Sequence, residues 1–426
     1  MKKCLKNKKI VSGIFIILLT LSFSINLFNT DIPNVSFLEF QSDSENLVYG
    51  KIYCDRVYKG SSKYQFGLIK YDNSALENIL TVKNASQYKM SNYLSQVGLQ
   101  GYIISFLVNS LHFPIMVVKL IISFVLAVVL YYISYFISKK YDNKLLGKIF
   151  YLTFLLSPWV VYFGKNMYWV SFTWFLPGLF GLMLSLNYDK KKVFVPLIFL
   201  TVFIKCLCGY EYLSVIMLFV IAFMIIDFFE EKNKNNRKKI FITVLIVGIA
   251  CLLAFLCALL IHGYMRGNGN ILEGIKEIYE KDVLRRTILS FDKNSYDGIM
   301  RESMAVGIIQ VLKMYLYDWK TDLIIGISGK LFPIIVMVST FLCIKNNYQK
   351  KLNAKRYLIM YIIFLITCIS WFILGKSHSY IHTHMNYVLW YFGFVQICLY
   401  IIINEFMGYL KKRLESVGEN DSKNKK

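Results

Sequence analysis

The chain has 426 residues, of which 56% are apolar and 16% aromatic, and a formal net charge of +23. A water-soluble domain could not bury that much apolar surface, so an all-α polytopic membrane protein is expected. Its charge does not describe a nucleic-acid binder: the surplus lies in short Lys/Arg clusters between apolar runs, as in cytoplasmic loops facing anionic headgroups.

Residues 1–29 read as a cytoplasmic basic leader and a first span. The apolar run 10–28 is long for a signal-peptide core and no Ala-x-Ala site follows it, so it is expected to stay attached, with the N-terminus inside. Residues 30–113 form the first outer loop, ending in a short interfacial stretch at 99–113. Acidic and basic residues balance over 30–98. Spans two to seven fall within 114–262: 114–137, 146–163, 167–187, two spans in 193–229, and 240–262. As one helix, 193–229 would reach only about 55 Å. Two crossings of a ~30 Å core leave almost nothing for a loop. The turn is therefore expected near Cys206–Tyr210, flanked by Lys205 and Glu211. Charges in lipid cost about 2.5–3.5 kcal/mol, so these two should face a polar cavity or each other.

Residues 263–321 form a second, charge-balanced outer segment. Ile271, Leu272, Ile275 and Ile278 fall at helical spacing, as do Met304, Ile308, Val311 and Tyr315, which predicts amphipathic helices. Residues 322–410 hold spans eight to ten (322–344, 357–374, 386–405). Residues 411–426 form a cytoplasmic tail, expected to be disordered after Gly418. Ten spans place every strong basic cluster on one side, giving a multi-pass cell-membrane protein with both termini cytoplasmic. Tyr168, Trp169, Trp174 and Trp390 read as interfacial anchors. The nine cysteines show no disulfide framework, and Cys206-x-Cys208 has no second pair.

Chemistry is expected at the outer surface. Asp43 and Glu45, with Asp31 behind them, are candidate general bases. Lys205, Arg285, Arg286, His382 and His384 are candidate partners for a phosphate, and Glu211, Tyr210, Gln96 and Gln100 candidate cavity residues. Each has a plainer reading: a solvated carboxylate for Asp43 and Glu45, and an ion pair holding a turn for Lys205 with Glu211. His378, His382 and His384 have a metal-like composition but also suit a polar surface turn.

Two stretches, Ser44-Glu-Asn-Leu-Val-Tyr-Gly50 and Tyr93-Leu-Ser-Gln-Val-Gly-Leu-Gln-Gly101, join this topology in a resemblance. One span, a large acidic outer loop and then a helical bundle resembles the GT-C superfamily of integral-membrane, polyprenyl-linked-sugar-dependent glycosyltransferases of bacteria. The resemblance implies a catalytic carboxylate in the first outer loop, matched to Glu45. It also implies a polyprenyl-phosphate or polyprenyl-diphosphate sugar donor and a cell-envelope glycan or lipid acceptor. The chain lacks an adjacent Asp-Glu pair; Asp43-Ser-Glu45 is the nearest equivalent, which leaves the choice of base open. Some members use a divalent metal, and no residue here requires one. A transporter or flippase of a lipid-linked saccharide would use the same cavity without catalysis. Against it stand the large outer segments and the lack of an internal hydropathy repeat. A non-catalytic scaffold would leave Lys205 and Glu211 unexplained.

Overall fold

The computed structural model describes residues 2–28, 37, 40–57, 66–70, 89–287 and 297–423. Asp31 and the middle of the first loop lie outside them. The described residues form an α-helical bundle with two small antiparallel hairpins, β1 (Gly67–Lys70) with β2 (Lys89–Asn92), and β3 (Asp322–Ile324) with β4 (Ile327–Ser328). The helices, in order, are α1 (Lys2–Ile25), α2 (Ser42–Val57), α3 (Leu99–Asn109), α4 (Ile115–Lys140), α5 (Lys144–Leu156), α6 (Pro158–Phe163), α7 (Phe172–Leu186), α8 (Lys191–Cys208), α9 (Leu213–Glu230) and α10 (Lys234–Arg266). There follow α11 (Ile271–Ile278), α12 (Gly298–Ala305), α13 (Ile308–Tyr317), α14 (Phe332–Tyr348), α15 (Ala354–Leu374), α16 (Lys376–Ile381) and α17 (Phe394–Lys423).

Among the described residues six helices are long and apolar enough to cross a membrane: α4, α9, α10, α14 with its leading turn, α15 and α17. Leu245, Ile249, Leu252, Leu256 and Leu260 lie exposed along α10, as lipid-facing side chains would. The apolar parts of α1, α3, α7 and α13 are shorter. Polar side chains tie α1 to its neighbours: Tyr131 donates to Ser12 Oγ at 2.6 Å, Tyr151 to the Phe15 carbonyl at 3.0 Å, and Ser22 to the Leu155 carbonyl at 2.8 Å. Such bonds hold helices together where no hydrophobic force favours protein over lipid.

Several boundaries differ from expectation. The third expected span, 146–163, is two helices. Ser157 is extended between them and Pro158 starts α6, because proline has no N–H to continue α5 but suits a first helical turn. The Leu156 carbonyl at this break accepts from the N–H of Ile325, in the β3–β4 hairpin, at 3.1 Å. The fourth, 167–187, becomes helical only at Phe172. The eighth, 322–344, opens as that hairpin, and its helix begins at Phe332. The tail expected to be disordered after Gly418 continues α17 as far as Lys423. Residues 193–229 do make two helices with a turn at 209–212. The aromatic side chains read as interfacial anchors are core instead: Trp174 is 0% exposed, Trp390 3%, Tyr168 5% and Trp169 6%. Ring contacts with Phe163 and Tyr212 occupy Trp169 and Trp174, Tyr168 packs on Trp169, and Trp390 packs among Phe332, Phe372 and Phe394.

Two glycines in α10 and α11 make the second polar segment fold back on the bundle. A Cβ on Gly274 would lie 1.9 Å from the Gly263 carbonyl oxygen, so only glycine permits this crossing. It brings the end of α10, with Arg266, against residues 271–286.

Candidate functional site

A cavity of about 320 Å³ opens at one end of the bundle. Separate parts of the chain wall it: residues 41–47 at the start of α2, Tyr93, Tyr168 with Trp169, Glu211, Arg285 with Arg286, Met300, and residues 378–385 in and after α16. Asp43, Glu211, Arg285, Arg286, His382 and His384 line it.

Asp43 and Glu45 share the first turn of α2 yet point apart. Two residues along an α-helix turn through about 200°, so an Asp-x-Glu pair cannot put both carboxylates into one cavity. Asp43 is exposed at the cavity and accepts from the Ser44 N–H at 2.8 Å. Glu45 is 7% exposed and lies outside the lining. Its Oε2 accepts from Lys119 Nζ at 3.0 Å and its Oε1 from the Met167 N–H at 2.8 Å. Glu45 thereby clamps α2 to α4 and to the 164–171 turn.

Lys205 also turns away. It is 2% exposed and its Nζ donates to the Gly209 carbonyl at 2.6 Å, closing the end of α8. Gly209 has φ 153°, and a Cβ there would lie 2.4 Å from Glu211 Oε2 and 2.6 Å from Gln96 Oε1. The turn therefore needs glycine to bring Glu211 to the cavity. Gln96, Gln100 and Tyr210 stand behind the wall. Gln100 donates to the Tyr168 and Cys208 carbonyls, each at 2.9 Å, and Gln96 Oε1 accepts from the Tyr168 hydroxyl at 3.3 Å. Tyr210 stacks on His262, with ring centres 5.6 Å apart.

The cationic wall is built by residues 279–286, a π-helical turn at Tyr279–Val283 followed by one α-turn. Arg286 reaches Asp282 Oδ1 at 3.2 Å and Glu211 Oε1 at 3.9 Å, and Arg285 reaches Asp282 at 3.7 Å. Arg285 Nε is buried with no hydrogen-bond partner among the described residues. Opposite stand the imidazoles, with His378 and His382 ring centres 4.4 Å apart and His382 and His384 5.6 Å apart. Burial, then the neighbouring His384 and Arg286, push His382 down to about 4, against an opposing pull from Asp43. Burial also lowers His384 and takes His378 well below the usual histidine range. The imidazoles are thus neutral near pH 7, able to accept or donate a hydrogen bond without adding charge. Among the described residues no three His, Cys, Asp or Glu side chains converge as metal ligands.

The arrangement places two carboxylates, two guanidinium groups and neutral imidazoles around one space. It can accept a proton at one wall and receive an anion at another. Sequence reasoning missed Asp282, Arg266, Lys119 and the aromatic wall of Tyr93, Tyr168 and Trp169. The i, i+3, i+4 spacing of Asp282, Arg285 and Arg286 was a signal for the first of these. Nothing local marks Lys119 as the partner of Glu45. The chain matches no protein-family model, and no curated protein or solved structure matches it.

Proposed function

We propose that the protein is a membrane glycosyltransferase that moves a sugar from a polyprenyl-phosphate-linked donor to a cell-envelope glycan or lipid acceptor. Asp43 is the general base, and Arg285 and Arg286 receive the leaving phosphate. The observation that carries this reading is the meeting of the Asp43 carboxylate with both arginines on one cavity at the end of an apolar bundle. Asp43 takes the proton of an acceptor hydroxyl as that oxygen bonds to the anomeric carbon. The bond from that carbon to the phosphate oxygen breaks, and its electron pair stays on the phosphate beside the two guanidiniums. Glu45, spent on Lys119 and the Met167 N–H, fixes the helix that presents Asp43.

In this reading ten segments cross the bilayer, six through the long helices and the rest through the shorter or interrupted ones. The cavity faces outward and both termini are cytoplasmic. Support for that orientation comes from α4: Lys119, near its start, reaches Glu45 beside the cavity, whereas Lys139 and Lys140 close its far end.

The test uses the full chain in lipid nanodiscs with polyprenyl-phosphate-linked sugars and candidate acceptors, reading glycosylated product by mass spectrometry. Product from wild type and roughly 10²–10⁴-fold less from Asp43→Asn is expected. Equal product from both removes Asp43 as the base. Translocation of the lipid-linked sugar in proteoliposomes without any product would replace the reading with transport.

A further inference from the structure

Asp282 does not line the cavity, yet it touches what does. It is 8% exposed. Its Oδ1 faces Arg286 at 3.2 Å and Arg285 at 3.7 Å, and accepts from Ser95 Oγ at 2.9 Å. Its Oδ2 is taken by Arg266, which also donates to the Leu94 carbonyl at 2.8 Å. One carboxylate thus serves three guanidinium groups from two helical elements. A guanidinium has five donors on a planar fork, and a carboxylate against one edge fixes the direction of the others. The π-turn that carries Asp282 is a local departure of the kind that re-aims side chains. Arg286 is also met by Glu211 at 3.9 Å and by Tyr93, whereas Arg285 Nε has no partner among the described residues, so donor capacity is left over once Asp282 is shared.

We propose that Asp282 is a positioning residue: it holds Arg285 and Arg286 in the cavity wall with their remaining donors free for a phosphate group. The proposal rests on the phosphate-receiving role given to those arginines above. Arg266 is the structural arm of the same cluster, tying α10 to residues 94–95, and the two duties separate by mutation.

The experiment measures affinity of the full chain in nanodiscs for decaprenyl phosphate, with thermal melting recorded alongside. Arg286→Ala loses saturable binding. Asp282→Asn binds at least about tenfold more weakly. Arg266→Gln melts earlier but keeps affinity within about threefold, because Asp282 still faces the cavity arginines. Asp282→Glu, which keeps the charge but shifts it by a methylene, falls between wild type and Asp282→Asn. It carries the test alone if the Asn variant does not assemble, and wild-type affinity in it would then overturn the proposal. Wild-type affinity in Asp282→Asn overturns the role of Asp282 and leaves the phosphate site standing. Affinity that falls in parallel with melting temperature in Asp282→Asn and Arg266→Gln overturns it too. Absence of saturable binding by the wild type overturns the phosphate reading and this proposal together.

Discussion

The two ends of the bundle handle charge differently. At the end away from the cavity three cations pair one-to-one with carboxylates between helices: Lys140 with Asp227 at 2.7 Å, Arg356 with Glu230 at 2.7 Å, Lys351 with Glu405 at 2.7 Å. At the cavity end Arg266, Arg285 and Arg286 share Asp282, while Glu277 stands 3.4 Å from Arg266 and Glu211 3.9 Å from Arg286. Asp43 makes no ion pair among the described residues and accepts locally from Ser44. One-to-one pairs join helices, whereas a single carboxylate shared among three guanidiniums leaves donors for something else. The difference separates charges that hold the fold from charges kept available, and Glu45 with Lys119 belongs with the first kind although it adjoins the cavity.

The largest effect that could break the comparison is on turnover. Asp43→Asn is expected to lower product formation roughly 10²–10⁴-fold while leaving the melting temperature near wild type. A matching fall in melting temperature would move Asp43 into the structural class. Glu45→Gln should do the reverse, destabilising by about 3 kcal/mol because Lys119 is left buried without its counter-charge. Product per folded molecule then stays within a few-fold of wild type. Gly209→Ala comes next: the positive φ and the contacts with Glu211 and Gln96 should cost ~1–3 kcal/mol, read as a lower melting temperature.

Acid gives a smaller, graded effect. His382 titrates at about 4 in the folded protein against 6.5 ordinarily, so between those values the unfolded chain binds more protons. Its contribution to stability is complete above the higher value and is lost as pH falls through the window. Melting temperature measured from pH 7 to pH 4 should decline, and His382→Gln should flatten part of that slope; a wild-type curve rising on acidification would refute it. The smallest change is expected at Lys351→Met, in a partly exposed pair far from the cavity. About 0–1 kcal/mol and unchanged product formation are expected, checked by melting and assay together.

Much of the helical architecture could be read from the sequence, because apolar length and basic clusters report directly on membrane crossing. The turn between α8 and α9 follows from arithmetic on residues 193–229. The break at Ser157–Pro158 was in plain view as a proline, but an apolar run on both sides hid it. In the site, Asp43, Glu211, Arg285, Arg286, His382 and His384 were chosen from the sequence and meet at one cavity. Glu45 and Lys205 were chosen with them and turn elsewhere, since each found a partner that composition cannot reveal. For Glu45 that partner lies on another helix; for Lys205 it is a backbone carbonyl four residues on. In a loop the carboxylates of Asp43-Ser-Glu45 could converge; in the first turn of a helix they diverge, and no apolar periodicity around them announces that helix.

The hairpin contact at the break between α5 and α6 has a consequence for biosynthesis. The Leu156 carbonyl belongs to the first half of the chain, but the Ile325 N–H that meets it is made much later. In hydrocarbon an open carbonyl costs several kcal/mol. While the ribosome is still working through the middle of the chain, the nascent N-terminal half lacks that partner. It must find a provisional one or wait close to the water boundary. Expression of 1–320 and 321–426 as separate polypeptides should therefore yield an N-terminal piece that is short-lived alone and rescued by its complement.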